Sequence, residues 1–290
     1  MARLSCGAPA RSWPPTIPWC STISAASRIE RRDGMNISLD TAAPDWSTLT
    51  LGQAVRRSAE RHPDTVAIVD GALRTSYRDL DRQADALALG LRDLGIGRGD
   101  QVAVWLTNCT EWALCWIACA RLGAVVVPIN TRFKTEEVRY ILVQSEAKAL
   151  VCMDSYWNID YLGMAREMAP GLPALRAIIA WKDVQAAGVL NLDGVMAIGL
   201  AQLEQGQGVE DARTADPVVI VYTSGTTGHP KGAMHSHMFL RNAANVARCM
   251  RVEPHDVVLG HMPFYHVAGC IATLGMCLLV GCTLVALPQW

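Results

Sequence analysis

Charge is scarce in this sequence. Only 18% of the 290 residues are Asp, Glu, Lys or Arg, and the 26 basic side chains nearly cancel the 27 acidic ones. A formal net charge of -1 gives no field for coating a polyanion. Nucleic acid is therefore not expected as a partner, and any phosphate must be held locally. The ten cysteines include no CxxC pair. Cys115 and Cys119 are spaced CxxxC in an apolar helical run without a second Cys/His pair, so no metal site is expected. The other thiols lie scattered, several in apolar stretches where a free Cys behaves as a small hydrophobe, which fits a reducing cytoplasm. Internal repeats and low-complexity tracts are also missing, which excludes solenoids. With 51% hydrophobic residues, the chain has ample material for one large core, or one and a piece of another.

Two segments need weighing. Residues 1–34 have no acid before Glu30 and carry Arg3, Arg11, Arg28, Arg31 and Arg32, a superficial match to a transit peptide. Pro14, Pro15 and Pro18 oppose the helix such a peptide needs, and there is no apolar h-region. The segment reads as an untidy tail or a mis-assigned start, with Met35 opening the ordinary sequence. Val267 to Pro288 is an uncharged run long enough on length alone to span a membrane. Gly269, Gly275 and Gly281 interrupt it and basic anchors do not flank it, so a buried helix followed by a buried strand is expected and no transmembrane span.

From residue 50 onward helical and strand patterns alternate. Leu80, Ala84, Leu87, Leu91 and Leu94 predict a helix capped by Ser76 and closed by Gly95. A strand follows at 101–106, a helix at 110–122 stopped by Gly123, and a strand at 124–128. A helix at 136–145 with Thr135 as cap and a strand at 149–153 come next. Between 165 and 215 the periodicity weakens, and an irregular connection with one strand at 177–181 is expected. Strands apolar on both faces and separated by helices predict an α/β fold of layered, mostly parallel sheets flanked by helices.

Chemistry concentrates in Tyr222-Thr-Ser-Gly-Thr-Thr-Gly-His-Pro-Lys-Gly232, placed after the apolar strand 218–222 and before a helical pattern through Met238, Leu240, Ala244, Ala247 and Met250. Its glycines let backbone N–H groups turn into one concavity, the hydroxyls of Thr223, Ser224, Thr226 and Thr227 add donors, and Lys231 adds charge. Such a strand, Gly-rich loop and helix suits a triphosphate. It is not a Walker loop, since Pro230 stands where the second glycine belongs and Gly232 where a Mg-binding Ser or Thr belongs.

This run closely resembles the phosphate-binding signature of the adenylate-forming superfamily, which includes acyl-CoA synthetases, luciferases and nonribosomal peptide adenylation domains. Met262-Pro-Phe-Tyr-His-Val-Ala-Gly269 resembles its next core motif, and Asn130-Thr131-Arg132 and Tyr77-Arg78-Asp79-Leu80 also fit. The resemblance covers roughly residues 45–290. It implies activation of a carboxylic acid by Mg2+-ATP to an acyl-adenylate, then transfer to a thiol, that of coenzyme A. By the same resemblance Thr223, Ser224, Gly225, Thr226, Thr227, Gly228 and Lys231 would hold the β- and γ-phosphates, with Thr226 and Lys231 acting on the leaving pyrophosphate. Tyr265, His266 and Gly269 would line the acyl pocket. A satisfied core histidine is the alternative for His266, and no functional or metal-binding role is expected for His229, His235 and His237. Trp112, Trp116 and Phe264 read as packing.

The resemblance further implies elements that would follow Trp290: an adenine-holding loop, a ribose-binding Asp, a hinge and a small domain with a catalytic lysine. Residues 35–290 are thus expected to be an incomplete, N-terminal portion of an acyl-CoA ligase, its parallel sheet short of neighbours after the strand 283–287 and left with a hydrophobic edge. A non-catalytic nucleotide-binding or scaffolding protein is the alternative. A fatty or alicyclic acid is the expected substrate, with aryl acids open, and nothing in the sequence sets the oligomeric state.

Overall fold

The computed structural model describes residues 45–182, 184–209, 212–223 and 230–288; the expectation for residues 1–34 lies outside them. Helix α1 (Leu51–Arg61) begins at Thr50, whose hydroxyl accepts from the Gln53 amide while the Gln53 side chain accepts from the Thr50 amide, a reciprocal capping box. A hairpin of β1 (Val66–Asp70) and β2 (Leu73–Ser76) leads into α2 (Tyr77–Asp93), capped by Ser76 as predicted. Tyr77 is buried and its hydroxyl donates to the carbonyls of Cys277 and Cys282, both at 2.8 Å. That residue of the recognised motif is a structural tie, and burial pushes its phenol well up.

The chain then follows β3 (Gln101–Trp105), α3 (Thr110–Leu122), β4 (Val125–Pro128), α4 (Thr135–Ser145) and β5 (Ala149–Cys152). Gly123 ends α3 at φ 71°, the left-handed conformation that stops a helix at low steric cost. Helix α4 starts one residue earlier than expected: Lys134 is its cap, because the Glu137 carboxylate reaches back to the Lys134 amide at 3.0 Å and Thr135 is drawn into the first turn.

Of the expectation for 165 to 215, the strand at 177–181 is present, but the irregular remainder is overturned by a further strand and a long helix. A short hairpin, β6 (Ser155–Tyr156) and β7 (Ile159–Asp160), leads into α5 (Tyr161–Met168); β8 (Ala177–Ala180) and β9 (Val189–Asn191) precede a full helix, α6 (Leu192–Glu204). Helix α6 lies so close to α2 that side chains do not fit between them. A Cβ on Gly199 would stand 1.8 Å from the Ala86 carbonyl oxygen, and one on Gly90 2.0 Å from that of Val195. The residues that permit this contact are glycines, and glycine dilutes the apolar periodicity by which a helix is recognised.

Strand β10 (Pro217–Thr223) is followed by β11 (Lys231–Ser236), α7 (Phe239–Met250) and β12 (Val257–Gly260). The uncharged run resolves into α8 (Val267–Gly269), a π-helical segment Cys270–Gly275, α9 (Met276–Val280) and β13 (Thr283–Ala286). Among the described residues no helix is long and apolar enough to cross a membrane.

Seven strands form one sheet in the order β11-β10-β4-β3-β5-β8-β9, parallel throughout except for the antiparallel β10–β11 pair. Four more run β12-β13-β1-β2, with β1–β2 antiparallel. Strand β13 is paired on both sides, and the hydrophobic edge of this sheet is β12, with Val257 67% and Leu259 54% exposed. Helix α3 packs against both sheets and is buried nearly all round. Trp112 and Trp116 lie in that layer against Phe264 and Phe239, with ring centroids 5.4 and 5.2 Å apart respectively, so the packing assignment of Trp112, Trp116 and Phe264 holds. Cys115 and Cys119 lie in the same layer, and burial pushes both thiols up. Arg121 is fully buried there, paired with Asp81 and Asp85.

Candidate functional site

Parallel sheets place ligands outside the carboxyl ends of their strands, where loops can vary without disturbing the ladder. Here the carboxyl ends of β4 and β10 are neighbours. Beyond them lies a cleft of about 250 Å³ lined by Pro128, Asn130, Phe133, Tyr222, Thr223, Tyr265 and His266. Complete small-molecule sites typically run to roughly 300–1,000 Å³, so this cleft is smaller than most.

Each wall has a local cause. Asn130 through Phe133 form a tight turn: the Asn130 carboxamide oxygen accepts from the Arg132 amide at 2.9 Å, and its carbonyl accepts from the Phe133 amide at 3.0 Å. The Trp105 indole donates to the same carbonyl at 3.2 Å, and Tyr161 donates to Thr131 O at 2.8 Å. Tyr222 donates its hydroxyl to the Gln144 carboxamide, and burial pushes its phenol up to about 12, so it stays a neutral donor.

Thr223 ends β10 and pairs in register with Lys231, the first residue of β11, and both are exposed. This corrects the expected strand, loop and helix. The loop closes an antiparallel hairpin, and β11 precedes helix α7. Lys-Gly-Ala-Met-His-Ser continues the sheet because its backbone pairs with β10 from Lys231 to Ser236. The consequence is geometric: a hydroxyl and a cation stand at the two feet of the Gly-rich loop. Ser224, Gly225, Thr226, Thr227, Gly228 and His229 lie outside the described residues.

His266 is exposed and is not a core histidine. It caps α8, its Nδ1 accepting from the Ala268 amide at 3.2 Å, which leaves Nε2 as the inferred N–H donor. Tyr265 lines this cleft and also a second one, formed with Thr107, Asn108, Thr131, Arg132 and Trp157 among others. Gly269 is buried behind the site, where a Cβ would stand 2.0 Å from the Pro263 carbonyl oxygen. It permits a close turn and does not line the cleft. His237 is a core histidine, its Nδ1 accepting from the Leu51 amide at 2.9 Å and its pKa pushed down to about 4 by burial. His235 is half-buried on β11. Asn130 belongs to a fitting motif to which no site role is attached, and Phe133 is a cleft residue that the sequence reading does not single out. Their place after an apolar strand is the signal that marks them.

Among the described residues, Thr223 and Lys231 bring a hydroxyl and a cation to the paired strand ends, the chemistry that phosphate oxygens need. No carboxylate is among the described cleft residues, so these residues offer no anionic ligand for a magnesium ion.

Comparison with known proteins is consistent with this arrangement. The AMP-binding enzyme family matches residues 55–290. The human medium-chain acyl-CoA ligase ACSF2 is 31% identical over 262 residues, covering 81% of this chain and 42% of that protein. The Mycobacterium tuberculosis long-chain-fatty-acid–CoA ligase FadD13 is 32% identical over 247 residues, covering 83% of this chain and 45% of its own length. The solved structure of a long-chain-fatty-acid–CoA ligase from Archaeoglobus fulgidus superposes with a TM-score of 0.74 at 24% identity, covering 84% of this chain and 48% of that one, a likeness of fold. The chain thus spans less than half the length of the curated relatives it matches.

Proposed function

This chain belongs to the AMP-binding enzyme family, and from that premise we propose that its residues form the phosphate-binding and acyl-entry part of an ATP-dependent acid–thiol ligase. The observation that carries this reading is the meeting of Thr223, at the foot of the Gly-rich loop, with Tyr265 and His266 across one cleft. A carboxylate oxygen would attack the α-phosphorus of ATP, the bond to pyrophosphate would break, and a thiol of the coenzyme A kind would then displace AMP from the acyl carbon.

This chain's own contribution is electrostatic. Negative charge grows on the leaving pyrophosphate as the bond breaks, and fixed donors in place beforehand stabilise that charge without reorganising. Lys231, Thr223 and the loop, including Thr226, supply those donors. Magnesium, where bound, would offset charge on the phosphates. Tyr265 and the Nε2 donor of His266 would orient the carboxylate, and no described cleft residue is placed as a proton acceptor for it.

A separate groove that begins at Val267, next in sequence to His266, offers an apolar wall of Met238, Phe239, Val267 and Ile271 facing His235, Ser236 and Asn242, and favours an apolar acid. The medium- and long-chain names of the two relatives point the same way. Carboxylate-dependent exchange of labelled pyrophosphate into ATP, run across aliphatic and aryl acids, tests the reading. Exchange with aliphatic acids is expected. Nucleotide binding without exchange for any acid would favour the non-catalytic, nucleotide-binding alternative.

A further inference from the structure

Asn108 directs every hydrogen bond of its side chain to one segment. Its Nδ2 donates to the carbonyls of Gly260 at 3.1 Å and Met262 at 2.9 Å, and its Oδ1 accepts from the Phe264 amide at 2.7 Å. Both amide hydrogens and the acceptor are thereby engaged, on three alternating residues of one strand-like stretch. The residue is 6% exposed at the wall of the second cleft, so water replaces these three bonds poorly if the side chain is removed.

Its location gives the contacts meaning. Asn108 leaves the carboxyl end of β3 in the seven-stranded sheet, whereas Gly260 ends β12 in the four-stranded one. One side chain therefore ties the carboxyl edges of both sheets together at the point where the chain enters Tyr265 and His266. Other contacts hold the same stretch from behind. Phe264 is fully buried against Trp112, and Gly269 leaves no space beyond the Pro263 carbonyl. Tyr265 and His266 follow immediately and stay accessible to the cleft.

We infer that Asn108 is a positioning residue for the acyl end of the cleft: it fixes Gly260–Phe264 so that Tyr265 and His266 stand opposite the carboxyl ends of β4 and β10. The inference rests on the function proposed above, and Asn108 itself touches no reacting atom. Its carboxamide suits the task because it offers donors and an acceptor on one rigid plane. In Asn108→Asp the acceptor for Phe264 survives, but a carboxylate oxygen then faces two carbonyl oxygens. In Asn108→Ala all three bonds are lost without added charge.

The test compares both variants with the wild-type chain in two measurements. The first is site-resolved amide exchange, where faster exchange is expected at Phe264, Tyr265 and His266 and unchanged exchange along Thr110–Leu122. The second is calorimetric binding of two probes, a non-hydrolysable ATP analogue and decanoyl-sulfamoyl adenosine, a stable mimic of an acyl-adenylate. The ATP analogue is expected to keep its affinity within about twofold while the acyl-adenylate mimic weakens about tenfold or more, the size of a lost buried hydrogen bond. Unchanged exchange at Phe264–His266, or equal weakening of both probes, would overturn the assignment. If the wild-type chain binds neither probe, the proposed function falls, and the exchange data alone then decide whether Asn108 holds the segment.

Discussion

Acid should weaken this fold through one identifiable group. His237 is 1% exposed, its Nδ1 accepts from the Leu51 amide, and its buried Nε2 has no hydrogen-bond partner among the described residues. Burial lowers its pKa from 6.5 to about 4. On acidification the unfolded chain therefore takes up the proton first. Between these two values the unfolded state holds more protons than the folded one, so stability falls as pH falls. Each pKa unit corresponds to about 1.4 kcal/mol, which gives a ceiling of about 3 kcal/mol, fully present above about pH 7 and lost by about pH 4. His237→Asn keeps an acceptor near the Nδ1 position but does not titrate. Urea denaturation of both proteins from about pH 7 to about pH 4 should show the wild type losing about 3 kcal/mol more than the variant across that window. Parallel stability curves would refute the reasoning, since every other titrating group is common to both.

Two further predictions concern the frame behind the site. Gly199→Ala should cost about 1–3 kcal/mol in chemical denaturation because its methyl would meet the Ala86 carbonyl, whereas Gly194→Ala on the same helix, with nothing within 4 Å, should be neutral or slightly stabilising. Arg121→Met should cost up to about 3–5 kcal/mol by leaving Asp81 without its cation and Asp85 with Arg56 alone, and adding Asp81→Asn should recover part of it; the same denaturation assay that finds no recovery would show that the loss is one of packing alone.

Much of this architecture was legible because local and global signals agreed. Helix α3 runs from Thr110 to Leu122 and stops at Gly123, as its apolar run and terminal glycine predict. Helix α6 was missed because Gly199, the residue that lets it touch α2, also weakens the pattern that reveals helices. At the site, the loop composition pointed to phosphate, and the Tyr265–His266 pair does lie across the cleft from Thr223. What no local signal carried was long-range: β11 as a hairpin partner of β10, and Asn108 reaching more than a hundred and fifty positions along the chain to Gly260 and Met262. Hydrogen bonds of that separation leave no trace in periodicity.

The central claim is that the hairpin feet Thr223 and Lys231 flank a seat for nucleotide phosphates. Calorimetric titration of a non-hydrolysable ATP analogue into the wild-type chain and into Lys231→Ala tests it most directly. Saturable binding that weakens about tenfold to a hundredfold in the variant, the range of one charge-assisted hydrogen bond, is the predicted result. Equal affinity in both proteins, or no binding to the wild type, would contradict it.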